Sequence, residues 1–223
     1  MATNSSLLKN IKTQLQQIAT TQVQSQSEIV DLYKFYILSL IVKAAQNEGA
    51  LVRYQDALGH YDPEQLVFRQ RAGQLYDVSE SYTHAVILFD NKPPLELHMG
   101  VKVQGRLQIL YDCDLCIIYK IEAEGCRTNQ RIPRASGILM TVDCQYHTAE
   151  LPLESAQAFV SLSSEVRVTG NCYFVSNTTS DLVAKLLANR KRKWDYDIVP
   201  QVENNVNRLM YDFQNTFKDF KAK

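Results

Sequence analysis

Two stretches of the chain decide its fold: LQILYDCDLCIIY at residues 107–119 and GILMTVDCQYH at residues 137–147. Both are rich in β-branched and aromatic residues, which is typical of β-strands. Near one end, each stretch places polar residues at every second position, and side chains two apart on a strand share a face. These polar residues are Asp112, Asp114, Asp143, Gln145 and His147. We therefore predict two neighbouring strands whose polar side chains converge at one spot.

The same periodicity and turn signals, followed outward, predict further elements on both sides. These are a helix at 28–47, strands at 82–89 and 95–103, a helix at 152–165, a strand at 171–175 and a helix at 180–188. A polar connection is expected between 119 and 137, and residues 50–80 give no clear pattern. With the strand at 95–103 as the first core strand, and the strand at 82–89 before it, the main order from residue 28 to 176 is helix, three consecutive strands, helix and strand. This order predicts an α/β domain with a mixed central sheet flanked by helices.

The two ends of the chain differ from this central domain. Residues 1–27 contain no acidic and no aromatic residue, and their leucines and isoleucines fall at helical spacing, so we predict an N-terminal amphipathic arm. The core domain is expected to span 28–200. At 201–223 an aromatic stripe steps by three and four, which predicts a C-terminal amphipathic helix that packs on the core or on a partner subunit.

Composition excludes several classes of protein. The 223 residues carry 24 Lys and Arg against 24 Asp and Glu, so a globally basic nucleic-acid-binding domain is excluded. The most apolar window, 32–42, contains Lys34 and is too short to cross a membrane. Five cysteines predict buried, reduced thiols in a cytoplasmic protein. Cys113 and Cys116 form a CxxC, but strand alternation is expected to send them to opposite faces.

The chain resembles the PD-(D/E)xK nucleases, the restriction-endonuclease-like superfamily. The resemblance lies in this order of elements and in two motifs separated by a spacer, Tyr111-Asp112-Cys113-Asp114 and Val142-Asp143-Cys144-Gln145. The resemblance covers about 150 residues and implies an αβββαβ core with helical extensions at both ends. It also implies that Asp114 and Asp143 bind Mg²⁺ or Mn²⁺, which activates water against a DNA phosphodiester. Asp112, and Glu96 on the preceding strand, are the additional acids expected at the metal.

The chain departs from the family motif at one position, where Gln145 stands in place of lysine. A carboxamide supplies a hydrogen-bond donor and acceptor but no positive charge beside the attacking water. We expect Gln145 and His147 to position that water. An alternative is a catalytically degenerate nuclease-like fold that binds DNA or protein, and a third is a cytosolic scaffold in which the acids are incidental.

Phosphate contacts must come from local clusters of charge, because the chain as a whole is neutral. The four consecutive cations Arg190, Lys191, Arg192 and Lys193 are the expected DNA-binding residues. Such a run is also common as a solvated face at the end of a helix. Because nucleases of this kind cut two strands, a homodimer is expected. No association with a membrane is expected.

Overall fold

The computed structural model describes residues 22–23, 29–69, 71–166 and 171–223. Its strands are β1 Gln22–Val23, β2 Leu51–Asp56, β3 Gln65–Leu66, β4 Thr83–Leu88, β5 Leu95–Gln104, β6 Leu110–Tyr119, β7 Ile138–Gln145, β8 Cys172–Ser176 and β9 Lys193–Asp195. Its α-helices are α1 Ile29–Asn47, α2 Lys120–Thr128, α3 Leu153–Glu165, α4 Asp181–Asn189 and α5 Glu203–Ala222. The predicted arm at 1–27 lies outside the described residues, apart from β1, which pairs with β3.

Seven strands form one mixed sheet in the order β2-β4-β5-β6-β7-β8-β9. From β2 to β7 every neighbouring pair is antiparallel, whereas β7, β8 and β9 are parallel to one another. The parallel connections contain α3 and α4, because a parallel crossover needs a long return path that a helix supplies. The predicted α/β class with a mixed sheet flanked by helices is confirmed.

Helices cover both faces of this sheet. On one face, α1 and α5 enclose an apolar cluster that includes Ile37, Ile41, Phe213 and Phe217. On the other face, buried residues of α2, α3 and α4 pack against the sheet around Phe159. The C-terminal helix α5 therefore packs its aromatic stripe into the core of its own chain.

Within the described residues, α2, β9 and β2 are among the elements that the sequence did not predict. The connection after residue 119 forms α2, whose only buried residues are Ala123 and Cys126, so its apolar pattern is thin. The basic run at 190–193 ends in β9, a strand of three residues. Within 50–80, β2 is an edge strand with mostly exposed or half-buried side chains. Each of these elements is held by the neighbour on which it packs, which its own sequence does not reveal.

Strict alternation fails in the middle of β5 and β6. Met99 and Val101 face opposite core clusters although they are two residues apart, while Cys113 and Cys116 face the same one. The break in β5 coincides with Gly100, whose φ of 65° is accessible to glycine and costly for other residues. A Cβ on Gly100 would lie 2.9 Å from the backbone oxygen of Arg71. The expectation that the CxxC pair points to opposite faces is thus wrong, while the prediction of free, buried cysteines is confirmed.

Candidate functional site: a fork between two strands

Asp114 and Asp143 lie where β6 and β7 separate. The antiparallel ladder between these strands ends at the pair Leu115 and Val142. Beyond that pair, β6 continues along β5, and β7 continues along β8 as far as Gln145. Asp114 and Asp143 are the next residues on the two strands, so they stand at the opening between them. We call this opening the fork.

Both carboxylate oxygens of Asp114 have a partner. Oδ2 accepts a hydrogen bond from the backbone N–H of Cys144 at 2.9 Å, so the side chain replaces the lost strand pairing. Oδ1 lies 2.8 Å from Nζ of Lys34 on α1. The side chains of Lys34 and Asp114 are 17% and 23% exposed, which makes this a largely buried ion pair open at one side. Asp114 thus joins the fork to the helix that covers it.

Lys34 is the functional candidate that sequence reasoning missed. Burial lowers the pKa of its ammonium, but the charge and the hydrogen bond of Asp114 raise it by more, so the net pKa lies above the usual value. Lys34 therefore carries a full positive charge at neutral pH. Its signal in the sequence is that it interrupts the most apolar window of the chain, because a lysine in a buried helix requires an acidic partner.

Asp143 is the titratable group of the fork. Burial and the nearby charge of Asp114 raise the pKa of its carboxyl from 3.8 to about 7, opposed by a hydrogen bond from Gln145 and by the charge of Lys34. The carboxyl therefore takes up a proton at a much higher pH than a solvated aspartate does. A carboxyl with its pKa near 7 exchanges protons readily with water or substrate, which is the property that a general acid or base requires.

Three side chains form a hydrogen-bonded line along the end of β7. Gln145 Nε2 donates to Asp143 Oδ1 at 2.7 Å, and Gln145 Oε1 lies 3.1 Å from Nε2 of His147. Because a carboxamide oxygen only accepts, this assignment places a proton on Nε2 of His147. The backbone of His147 is fixed by Asn177, which exchanges two hydrogen bonds with it, both 2.8 Å long. The three residues lie together, as alternation along β7 predicts.

The other two acids expected here lie elsewhere, so the predicted convergence of four acids is wrong. Asp112 is exposed and pairs with Lys102 at 2.9 Å. Glu96 is fully buried, and its strand partner is Ile118, four residues along β6 from Asp114. At about 3.3 Å per residue this separation is roughly 13 Å. The sequence pattern could not give this register.

The predicted DNA-binding run does not form one uniform basic face. Arg190 and Lys191 are exposed in the turn after α4. Arg192 Nη2 donates to Ser164 Oγ on α3 at 2.7 Å, and Lys193 Nζ donates to the hydroxyl of Tyr173 on β8 at 3.0 Å. Arg192 and Lys193 thus bind side chains of their own chain. Arg190 and Lys191 are therefore better placed to contact phosphates.

No family model, no curated protein and no solved structure matches this chain. None of the helices within the described ranges is long and apolar enough to span a bilayer. Function must therefore be inferred from the side chains of the fork and of the other polar clusters.

A second polar cluster lies in the core between β4 and β5. Glu96 Oε2 is 2.9 Å from Nε2 of His98 and 3.6 Å from Nε2 of His84. Arg127 on α2 binds the same carboxylate with both terminal nitrogens, at 2.7 and 2.9 Å. Burial opposes ionisation of Glu96, but the hydrogen bonds from His98 and Arg127 outweigh it and lower its pKa. Burial lowers the pKa of His84 to about 3, so that ring is neutral at pH 7.

Proposed function

We propose that this chain is a divalent-metal-dependent DNA endonuclease whose site is the fork. The observation that carries the proposal is that Asp114 and Asp143 both stand where β6 and β7 separate, with the ammonium of Lys34 on Asp114. In the resembling family a lysine follows the second acid, and here Gln145 stands there. Lys34 would supply the missing positive charge from α1 instead.

The order of elements around the fork supports the finer proposal of a restriction-endonuclease-like core. Helix α1 precedes the antiparallel strands β5, β6 and β7, and α3 leads from β7 to the parallel strand β8. With β2 to β4 before β5 and α2 between β6 and β7 set aside as insertions, this is the αβββαβ order that the resemblance implies. On this proposal, β2 with β4 and β9 are additions at the two edges of the core sheet.

The chemistry of the side chains fits a hard divalent cation. Asp114 and Asp143 would hold Mg²⁺ or Mn²⁺, because such ions prefer carboxylate oxygens. Burial and the charge of Asp114 raise the pKa of Asp143, and a bound cation would offset both effects. When bound, the metal supplies Lewis acidity towards a phosphoryl oxygen and lowers the pKa of its water.

The residues of the chain itself have separate tasks in this proposal. The Lys34 ammonium offsets the negative charge that grows on the phosphoryl oxygens during attack. Gln145 fixes the orientation of the Asp143 carboxyl, and His147 fixes that of Gln145 in turn. Arg190 and Lys191 would bind backbone phosphates away from the reacting group.

The test is cleavage of supercoiled plasmid by the purified chain with Mg²⁺ or Mn²⁺. We expect nicking that EDTA abolishes and that Asp143→Asn, Asp114→Asn and Lys34→Met each reduce by about 100-fold or more. The matched control is Asp112→Asn, an acid on the same strand that pairs outside the fork, which should change the rate by no more than about twofold. Cleavage that survives Asp143→Asn would exclude the fork as the site.

The second candidate is a degenerate nuclease-like module that binds DNA without cutting it. The ion pair of Lys34 with Asp114 favours it, because the ammonium neutralises one of the two carboxylates of the fork without a metal. It predicts DNA retention that falls with salt and is weakened by Arg190→Ala with Lys191→Ala, without any cleavage. If DNA is not retained even at low salt, both candidates are excluded and the scaffold alternative stands. Homodimerisation is also proposed, and light scattering on the purified chain tests it.

A further inference from the structure

The buried cluster of His84, Glu96 and His98 has a geometry of its own, separate from the fork. By the register of β4 and β5, in which Ala85 faces Leu97, His84 lies opposite His98. Their rings stack with centroids 4.5 Å apart and an interplanar angle of 20°. Glu96 precedes His98 by two residues, so all three side chains share one face of the sheet. Each is at most 2% exposed.

Several nitrogens of this cluster lack the partner that a buried polar atom normally has. Among the described residues, Nδ1 and Nε2 of His84 and Nδ1 of His98 have no hydrogen-bond partner. The 3.6 Å between His84 Nε2 and Glu96 Oε2 is too long for a hydrogen bond. Buried polar atoms are nearly always satisfied, so two stacked imidazoles without full partners need an explanation. An ion bound at the Nε2 atoms would supply a partner for one of these three atoms, Nε2 of His84.

The positions of the donor atoms suit a tetrahedral metal ion. One ligand atom from each of the three side chains lies within 4.8 Å of the other two. In a tetrahedral site with bonds of 2.0–2.2 Å, donors are about 3.3–3.5 Å apart. The two distances to Glu96 Oε2, 2.9 and 3.6 Å, bracket that value. Both contacts to Glu96 Oε2 are therefore within about half an ångström of the tetrahedral spacing.

We propose that His84, Glu96 and His98 form a structural binding site for Zn²⁺ in the core of the sheet. Two imidazoles and one carboxylate suit a borderline transition ion, whereas Mg²⁺ prefers oxygen donors and keeps several waters. The ion joins β4 to β5 and takes no part in hydrolysis, because the cluster is enclosed and Glu96 is distant from the fork along the sheet.

In the metal-free structure, Arg127 binds the carboxylate of this cluster. Its Nη1 lies on Glu96 Oε2, the oxygen that faces both histidines, while Nη2 lies on Oε1. Zn²⁺ bound at Oε2 would displace Nη1 of Arg127 and leave the contact between Nη2 and Oε1. Arg127 and Zn²⁺ therefore compete for one oxygen, and replacing Arg127 with Met should tighten zinc binding.

The test loads the EDTA-stripped full chain with Zn²⁺, removes excess by gel filtration and measures metal by mass spectrometry. We expect about one equivalent per chain, retained in an Asp114→Asn and Asp143→Asn double variant and bound at least about 10-fold more weakly by His84→Gln. The metal should also raise the melting temperature of the double variant and not that of His84→Gln. Absence of stoichiometric zinc, or undiminished zinc in His84→Gln, overturns the proposal.

A measurement on the unaltered chain keeps the proposal falsifiable if His84→Gln does not fold. X-ray absorption at the zinc edge should show only nitrogen and oxygen neighbours, with the outer-shell scattering of two imidazoles. Sulfur neighbours would place the ion at the cysteines instead and overturn the assignment. Nuclease activity does not enter this test, so its result is independent of the proposed function.

Discussion

Replacing Asp143 with Asn should make the protein more stable at pH 8 and leave its stability unchanged near pH 4. Burial and the charge of Asp114 hold the pKa of Asp143 at about 7 in the folded chain, against 3.8 as its ordinary value. The folded state therefore binds a proton more tightly than the unfolded state. The protonated carboxyl is well accommodated below pH 4, and the stability it contributes is lost as the pH rises through 7.

The size of the effect follows from this difference in pKa. The interval from 3.8 to about 7 spans about three pH units, and each unit corresponds to about 1.4 kcal/mol, so the upper limit is about 4 kcal/mol. Asp143 is half-buried, and solvent screening reduces the figure. We expect Asp143→Asn to raise the free energy of unfolding by about 2–4 kcal/mol at pH 8. Asn carries no charge, so the difference should shrink to about zero towards pH 4.

The assay is urea unfolding of both proteins at several pH values between 4 and 8, with EDTA present. Asp112→Asn is the matched control, since it removes an exposed acid of the neighbouring strand and should change stability by less than about 0.5 kcal/mol. Adding Mg²⁺ in place of EDTA should stabilise the wild type and not Asp143→Asn. A destabilised Asp143→Asn at pH 8, or a difference that does not vary with pH, would refute the reasoning.

Three further substitutions test the surroundings of the site, each by urea unfolding at pH 8. Lys34→Met should cost about 1–3 kcal/mol, because it leaves Asp114 largely buried without its ion pair. Gly100→Ala should cost about 1–3 kcal/mol, because φ is 65° there and the added Cβ meets the Arg71 carbonyl. Phe213→Ala should cost about 3–5 kcal/mol, because its side chain is fully buried between α5 and the sheet.

Each of these has a matched control. Lys43 is exposed on the same helix as Lys34, so Lys43→Met should have almost no effect, and an equal loss from both lysines would contradict the buried ion pair. At Gly59, φ is also positive but the added Cβ has more room, so Gly59→Ala should cost less than Gly100→Ala. Phe213→Leu should keep most of the stability that Phe213→Ala loses. If Phe213→Ala dissociates an oligomer without lowering the stability of the chain, α5 packs against a second subunit instead.

Local patterns in the sequence were sufficient to predict the helices and strands of the central domain. Apolar periodicity predicted α1, α3, α4 and α5, and strand-like runs predicted β4 to β8, because long regular elements must present an apolar face to the core. Alternation along β7 also predicted that Asp143, Gln145 and His147 would lie together. Each of these inferences uses residues that are close in the chain, where backbone geometry alone sets the direction of side chains.

Contacts between distant residues were decided only by the tertiary structure. Lys34 reaches Asp114 because α1 packs over β6. Glu96 lies with His84 and Arg127 because of strand register and the position of α2. Neither register nor helix placement is encoded in a local pattern. The sequence by itself determined the strands that carry Asp114 and Asp143. Packing decided that Lys34 pairs with Asp114, and it placed Glu96 in a separate buried cluster.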